Sequence, residues 1–293
     1  MSRLEVLKTY KIYIGGQFPR TESGRYYSPL DKTGKSLGNI CLSSRKDVRN
    51  AVVAARKAFG GWSERAAMNR GQILYRIAEM LEGRSEQFVT ELIQQGSTKA
   101  QAENEINVSI DRIVYYAGWC DKYQAILSSV NPVASSHFNF SVLEPTGVVG
   151  IIPTQESSLI GLISLLMPVI CGGNTAVIIA SENLPLCAVT FAEVLNSSDL
   201  PGGVVNILTG MNSELNDTIS THMDVNAIVY GGNDSEALKK IQENAMLNVK
   251  RIFNYEKDWI KSESQDLYMI ADTQEVKTTW HPIENIGGSS SSY

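Results

Sequence analysis

Apolar residues change their spacing along this chain, and the changes divide it. Over residues 44–119 they recur three or four apart, the spacing of amphipathic helices. Val48, Ala51, Val52, Ala55 and Phe59 share one face of the first helix. Ser44 opens it, with Asp47 three residues on as an imperfect capping box, and Gly60-Gly61 is expected to close it. A second helix over 65–82 carries Ile73, Leu74, Ile77, Met80 and Leu81. A third includes Phe88, Val89, Leu92 and Ile93, and a fourth runs through Ile106, Ile110, Ile113, Val114 and Ala117. Before them, residues 10–16 alternate like a strand and stop at Gly15-Gly16, a hairpin signal.

The period drops to two over 137–143, an extended strand broken by Glu144-Pro-Thr-Gly147. Short apolar runs then alternate with helical ones. Strands are expected at 148–153, 176–180, 204–208, 225–230 and 251–254, and helices at 159–171, 186–195, 215–223 and 235–248. Strands and helices alternating in this way predict an α/β fold, a doubly wound parallel sheet covered on both faces. Residues 256–268 are polar and irregular, 273–280 read as a last strand, and 287–293 as a flexible tail.

Composition narrows the function. Of 293 residues 43% are hydrophobic, enough for a large core. A net charge of -5 argues against nucleic acid as a partner, since neutralising phosphates needs a basic excess. The apolar stretch 159–171 is too short to span a bilayer, and the basic N-terminal residues Arg3, Lys8 and Lys11 lack the apolar run of a signal peptide. Four cysteines without Cys-x-x-Cys spacing read as reduced, buried thiols, so a soluble, cytoplasmic protein with no membrane partner is expected. His137, His222 and His281 are too scattered for a metal site.

Several strings, in order, resemble the aldehyde dehydrogenase superfamily: Tyr13-Ile-Gly-Gly-Gln-Phe18, Ala54-Ala-Arg-Lys-Ala-Phe59 with Trp62, Glu144-Pro-Thr-Gly-Val-Val-Gly150, Gly173-Asn-Thr-Ala-Val177 and Leu200-Pro-Gly-Gly-Val-Val-Asn-Ile-Leu-Thr-Gly210. The resemblance implies a Rossmann-like coenzyme-binding core at 148–255, preceded by a helical part at 1–135. It also implies a small oligomerisation sheet, built from a hairpin at 136–147 and a closing strand within 256–286. Thr273-Gln-Glu-Val-Lys-Thr278 is similar to that closing strand. In the family a Glu-Leu-Gly-Gly-Lys string supplying the general base, and a Gly-Gln-x-Cys string supplying the nucleophile, follow the coenzyme core. Neither is present, as in the incomplete second unit of aldehyde dehydrogenases with a duplicated C-terminal half.

Acyl transfer through a thiol needs the thiolate, a base to activate water and donors for the oxyanion. By resemblance Gln155 stands where the family's oxyanion Asn would be, one methylene longer, and reads as an exposed loop glutamine. Cys171 and Cys187 read as core residues, although a helix N-terminus could lower the Cys187 pKa. No residue is assigned a catalytic role and no metal is expected. The resemblance places the NAD or NADP site at Ile152, Pro153, Thr154, Glu182, Gly210, Gly232 and Asn233. The ribose-binding Lys of the family is replaced by Ile179, and Asp234 puts a carboxylate where a diphosphate would meet a helix. Three functions are therefore expected in turn. The first is a catalytically inactive partner or regulatory subunit, forming a homodimer or a hetero-oligomer with a complete aldehyde dehydrogenase. The second is an NAD(P)-dependent aldehyde oxidoreductase, and the third a non-catalytic dinucleotide-binding module.

Overall fold

The computed structural model describes residues 8–283; the tail expected at 287–293 lies outside them. Five parallel strands form the central sheet, in the order β10-β9-β6-β7-β8: β6 (Val148–Ile152), β7 (Thr175–Ile179), β8 (Val205–Leu208), β9 (Ala227–Tyr230) and β10 (Arg251–Asn254). The fold is thus the expected α/β one, with a Rossmann-like parallel sheet. Because side chains alternate along a strand, each strand feeds two cores. Val149, Ile151, Ala176, Ile178, Ile207 and Val229 pack under α2 (Ala67–Glu82), α4 (Lys99–Trp119), α6 (Ile160–Cys171) and α7 (Leu186–Asn196). Val148, Ile152, Val177, Ile179, Leu208 and Ile228 pack under α1 (Arg45–Ser63), α8 (Asn212–Thr221) and α9 (Ser235–Ala245). Gly150 sits between those layers with no room for a Cβ, which would lie 2.6 Å from Ile228 Cδ1 and 3.0 Å from Ile219 Cδ1.

The capping box at α1 forms: Asp47 Oδ2 accepts from the Ser44 N–H at 2.8 Å and from its hydroxyl at 2.9 Å. Gly60-Gly61, however, does not end the helix. One more turn carries Trp62 into the core, fully buried, where its Nε1 donates to Ile170 O at 3.1 Å. Both glycines keep ordinary helical φ, so burial of one indole outweighs their low helix propensity. In α3 (Ser85–Gln94), Phe88 and Leu92 are buried but Ile93 faces solvent.

The run expected as one strand at 10–16 is divided. Only β1 (Thr9–Tyr10) pairs with β3 (Asn39–Cys41), beside β2 (Tyr26–Tyr27), while Tyr13 bridges Ile207 at the edge of the large sheet. The hairpin at Gly15-Gly16 is present, both glycines at positive φ between paired Ile14 and Gln17.

A third sheet stands apart, in the order β11-β5-β4, from β4 (Ser129–Asn131), β5 (His137–Pro145) and β11 (Gln274–Pro282). β5 does not break at Glu144; it continues through Pro145, because Glu144 and Pro145 both lie opposite β11. The two strands pair antiparallel from Gln274 opposite Pro145 to Pro282 opposite His137, and the His137 ring meets Trp280 edge-on at 5.8 Å. Periodicity also passed over the short α5 (Tyr123–Leu127) and α10 (Tyr268–Asp272), each about one turn long. α9 ends at Ala245 rather than 248, its last residues forming a 3₁₀ turn.

Candidate functional site

Strand order reverses between β6 and β9, since β7 and β8 lie on one side of β6 while β9 and β10 lie on the other. In a doubly wound sheet the crevice beyond the carboxyl ends of strands at such a point is where ligands bind. A cleft of about 340 Å³ opens there, lined by Thr154, Glu156, Gly231, Gly232 and Asn233 and, from the opposite wall, by residues 256–260. That wall belongs to the connection between β10 and β11.

This connection is built into the fold. Arg112, only 1% exposed on α4, donates to Trp259 O at 3.1 Å, Lys261 O at 3.0 Å and Ser164 Oγ at 2.8 Å. Trp259, Met269 and Ile270 are buried in the main core. The Tyr116 hydroxyl meets Asp266, the Tyr255 hydroxyl donates to the Asp272 carboxylate, and Asn174 Nδ2 holds Thr273 O at 2.9 Å. The sequence does carry a signal for Arg112: it is a charged residue in the stripe of Ile106, Ser109, Ile113 and Tyr116. An unpaired buried guanidinium needs acceptors, and backbone carbonyls of an irregular segment supply them.

Of the residues expected at the coenzyme site, only Thr154, Gly232 and Asn233 line the cleft. Ile152 points into the core beneath α8 and α9, and its carbonyl accepts from Gly231 N at 2.8 Å; Pro153 is buried beside it. Gly210 is a packing position, where a Cβ would lie 2.9 Å from Leu215 Cδ1 and 3.2 Å from Ser43 N. Glu182 caps α8, its Oε2 accepting from Asn212 N at 2.9 Å. Gln155 is half-buried rather than exposed: its Oε1 accepts from Glu182 N at 2.8 Å and ties the β6 loop to the β7 loop. An amide engaged in this way does not point a donor into the cleft.

The start of α9 is closed to an anion. Asp234 Oδ1 accepts from Glu236 N at 3.0 Å and Ala237 N at 3.1 Å, the groups a diphosphate would use. The Tyr230 hydroxyl packs on Gly232, within 2.5 Å of where a Cβ would be, and donates to Asp234 O at 3.2 Å. Glu156, Glu256 and Asp258 add negative charge around the cleft, against Lys257 alone among its lining residues. As folded, the residues present do not fit the diphosphate of a dinucleotide.

The four cysteines are all buried. Burial, reinforced by the Glu91 carboxylate, pushes the Cys187 thiol well above its usual range, so its place at the start of α7 does not activate it. Cys171 is raised in the same direction, by burial and then by Cys120. No group of three or more metal-ligating side chains occurs among the described residues, and none of their helices is long and apolar enough to cross a membrane.

Comparison with known proteins places this geometry. The sequence profile of the aldehyde dehydrogenase family matches residues 19–254. Cytosolic 10-formyltetrahydrofolate dehydrogenase of Mus musculus is 33% identical over 258 residues, covering 86% of this chain and 29% of that protein. The putative aldehyde dehydrogenase DhaS of Bacillus subtilis (strain 168) is 32% identical over 249 residues, 83% of this chain and 50% of that one. Among solved structures, an NAD+ complex of aldehyde dehydrogenase from Bacillus cereus superposes with a TM-score of 0.80 at 25% identity, covering 84% of this chain and 50% of that one. PnpE in complex with nicotinamide adenine dinucleotide gives 0.80 at 28%, covering 83% and 50%. The chain thus spans half or less of the length of these relatives.

Proposed function

The chain belongs to the aldehyde dehydrogenase family, and from that premise we propose that it is a non-catalytic partner subunit. It keeps the family's coenzyme-domain scaffold and associates through the β11-β5-β4 sheet, with a second copy or with a complete aldehyde dehydrogenase. The observation that carries this reading is the connection between β10 and β11. In the family, by the resemblance drawn from sequence, the catalytic lobe lies between the coenzyme core and the closing strand. In this chain residues 255–273 occupy that interval, and residues 256–260 of it form one wall of the crevice, anchored by Arg112 on Trp259 and Lys261. The buried, pKa-raised Cys171 and Cys187 support the same reading, since neither is a ready thiolate.

Support for association comes from apolar side chains on the small sheet. Val130 is 67% exposed, Phe138 45%, Val276 67% and Trp280 56%. A sheet presenting such residues beside an unpaired edge strand is a surface for another chain. Co-expression with a complete aldehyde dehydrogenase, followed by size exclusion with light scattering, tests the proposal. A homodimer or a mixed complex is expected; a monomer at micromolar concentration that ignores the complete enzyme overturns it. Turnover of NAD(P) with a panel of aldehydes, abolished by one cysteine substitution, would establish the oxidoreductase instead.

A second reading, a dinucleotide-binding module, is favoured by the NAD complexes among the structural neighbours. Calorimetric titration with NAD and NADP separates the two. No heat at millimolar ligand is expected from the closed α9 start, and micromolar binding makes the module the better description.

A further inference from the structure

Two thiols meet away from the crevice. Cys120, the residue that ends α4, and Cys171, the last residue of α6, bring their Sγ atoms to 3.5 Å. Their side chains come from elements packed against each other, and both residues sit in the main core at 1% and 0% exposure. Sequence spacing could not show this, because the two are 51 residues apart with no recognisable motif between them. A disulfide needs sulfurs about 2.05 Å apart, so closing the gap takes about 1.5 Å, within reach of small side-chain rotations.

A route to the pair exists. A cleft of about 140 Å³ on the α2–α4 surface reaches Cys120, its floor formed with Gly71, Ala117 and Gly118 and its rim with longer side chains such as Met68 and Tyr75, so the buried Cys120 side chain borders a surface opening. Cys171 lies behind Cys120. Its backbone is pinned by neighbours that hold the end of α6: Trp62 Nε1 on Ile170 O at 3.1 Å, Arg70 Nε on Cys171 O at 3.3 Å and Gln274 Nε2 on Gly172 O at 3.2 Å. One sulfur therefore borders an entry, while the other is held ready behind it.

We propose that Cys120 and Cys171 form a reversible dithiol–disulfide site, oxidised by a peroxide, that staples α4 to α6 beneath the root of β11. In the first step the Cys120 sulfur attacks one oxygen of hydrogen peroxide. The O–O bond breaks, water leaves with the thiol proton, and a sulfenic acid remains on Cys120. In the second step the Cys171 sulfur attacks the Cys120 sulfur. The S–O bond breaks, the S–S bond forms, and a second water carries off the Cys171 proton. Two thiols lose two electrons in all, and one peroxide gains them. The site uses no residue of the crevice and shares only Cys171 with the function proposed above. There Cys171 is excluded as an acyl-transfer nucleophile; here it acts only on the sulfenic acid beside it, losing its proton as it attacks.

Intact mass and non-reducing peptide mapping of the purified protein, after one equivalent of hydrogen peroxide, test the proposal. The protein is expected to lose the mass of two hydrogens, to yield one cross-linked peptide joining Cys120 to Cys171, and to return to its starting mass with dithiothreitol. The double substitution C41S/C187S keeps the pair and is expected to behave identically. C120S and C171S, checked for folding by circular dichroism, are each expected to abolish the two-hydrogen loss. Oxygen additions without the cross-link, disulfide-linked dimers alone, or an unchanged mass in the C41S/C187S protein overturn the site, whether or not the serine variants fold.

Discussion

Arg112 decides whether the segment between β10 and β11 stays down. Its guanidinium holds two carbonyls of that segment and one hydroxyl of α6 in a water-excluded place. Arg112→Met keeps the aliphatic stem and removes every donor, leaving buried carbonyls without partners. It is expected to cost about 3 kcal/mol or more in urea unfolding and to expose residues 256–261 to early protease cleavage. Asp234 makes the opposite kind of test. Glycine at that position removes both the charge and the N-cap oxygen and frees the Glu236 and Ala237 N–H groups, so D234G should unfold within about 0.5 kcal/mol of the parent and give heat with millimolar NAD by calorimetry where the parent gives none. Glu91 gives a pH dependence. It is 5% exposed, accepts from the Tyr10 and Thr190 hydroxyls, and faces Lys8, Glu193 and Cys187. Burial raises its pKa above the ordinary 4.5, against the opposing pull of Thr190, Lys8 and Tyr10. The folded state therefore holds a proton that the unfolded state releases. The stability linked to this proton is complete below about pH 4.5 and is lost as pH rises through the raised value. Glu91→Gln should flatten the fall in unfolding free energy as pH rises above 4.5, read by denaturant titration at each pH.

Among the elements, α1 and the 3₁₀ turn after α9 carry residues at odds with their conformation. Gly60 and Gly61 lie inside α1 with open space where each Cβ would go. Alanine at either position should raise stability by about 0.5–1 kcal/mol without altering the Trp62 anchor. Val249 has φ 57°, a left-handed conformation unfavourable for a β-branched residue, and is 91% exposed. Val249→Gly should stabilise the fold by about 1 kcal/mol, measured by thermal melting. The same contrast explains what the chain disclosed in advance. Strongly periodic runs such as 159–171 and 176–180 became α6 and β7 within a residue, because fully apolar segments have one way to be buried. Gly60-Gly61 misled because a local breaker was overruled by a tertiary contact more than a hundred residues away. At the site, Thr154, Gly232 and Asn233 were reached through the family resemblance, because they fall in strings matching the family's own. The roles of Gln155, Glu182 and Arg112 were not, since each depends on a backbone partner that spacing does not reveal.

For the molecule as a whole, the proposed association rests on the small sheet. Directly opposed residues share a face, so Val130, Phe138, Phe140 and Val142 lie on one side and Val276 and Trp280 on the other with Asn139 and Ser141. Phe138→Lys and Trp280→Lys, tested separately, assign the associating side. One of them should weaken association at least tenfold by sedimentation, and neither should shift the unfolding midpoint appreciably, since both residues are largely exposed. The same sheet joins distant chain, since β5 at His137–Pro145 waits for Gln274–Pro282. While a ribosome is still adding the residues between, β5 has only the three residues of β4 alongside it. The nascent chain then presents Phe138 and Phe140 beside an open row of amides, the kind of edge on which unfinished chains stick to one another. That exposure ends when β11 pairs along the whole of β5, from Pro145 to His137.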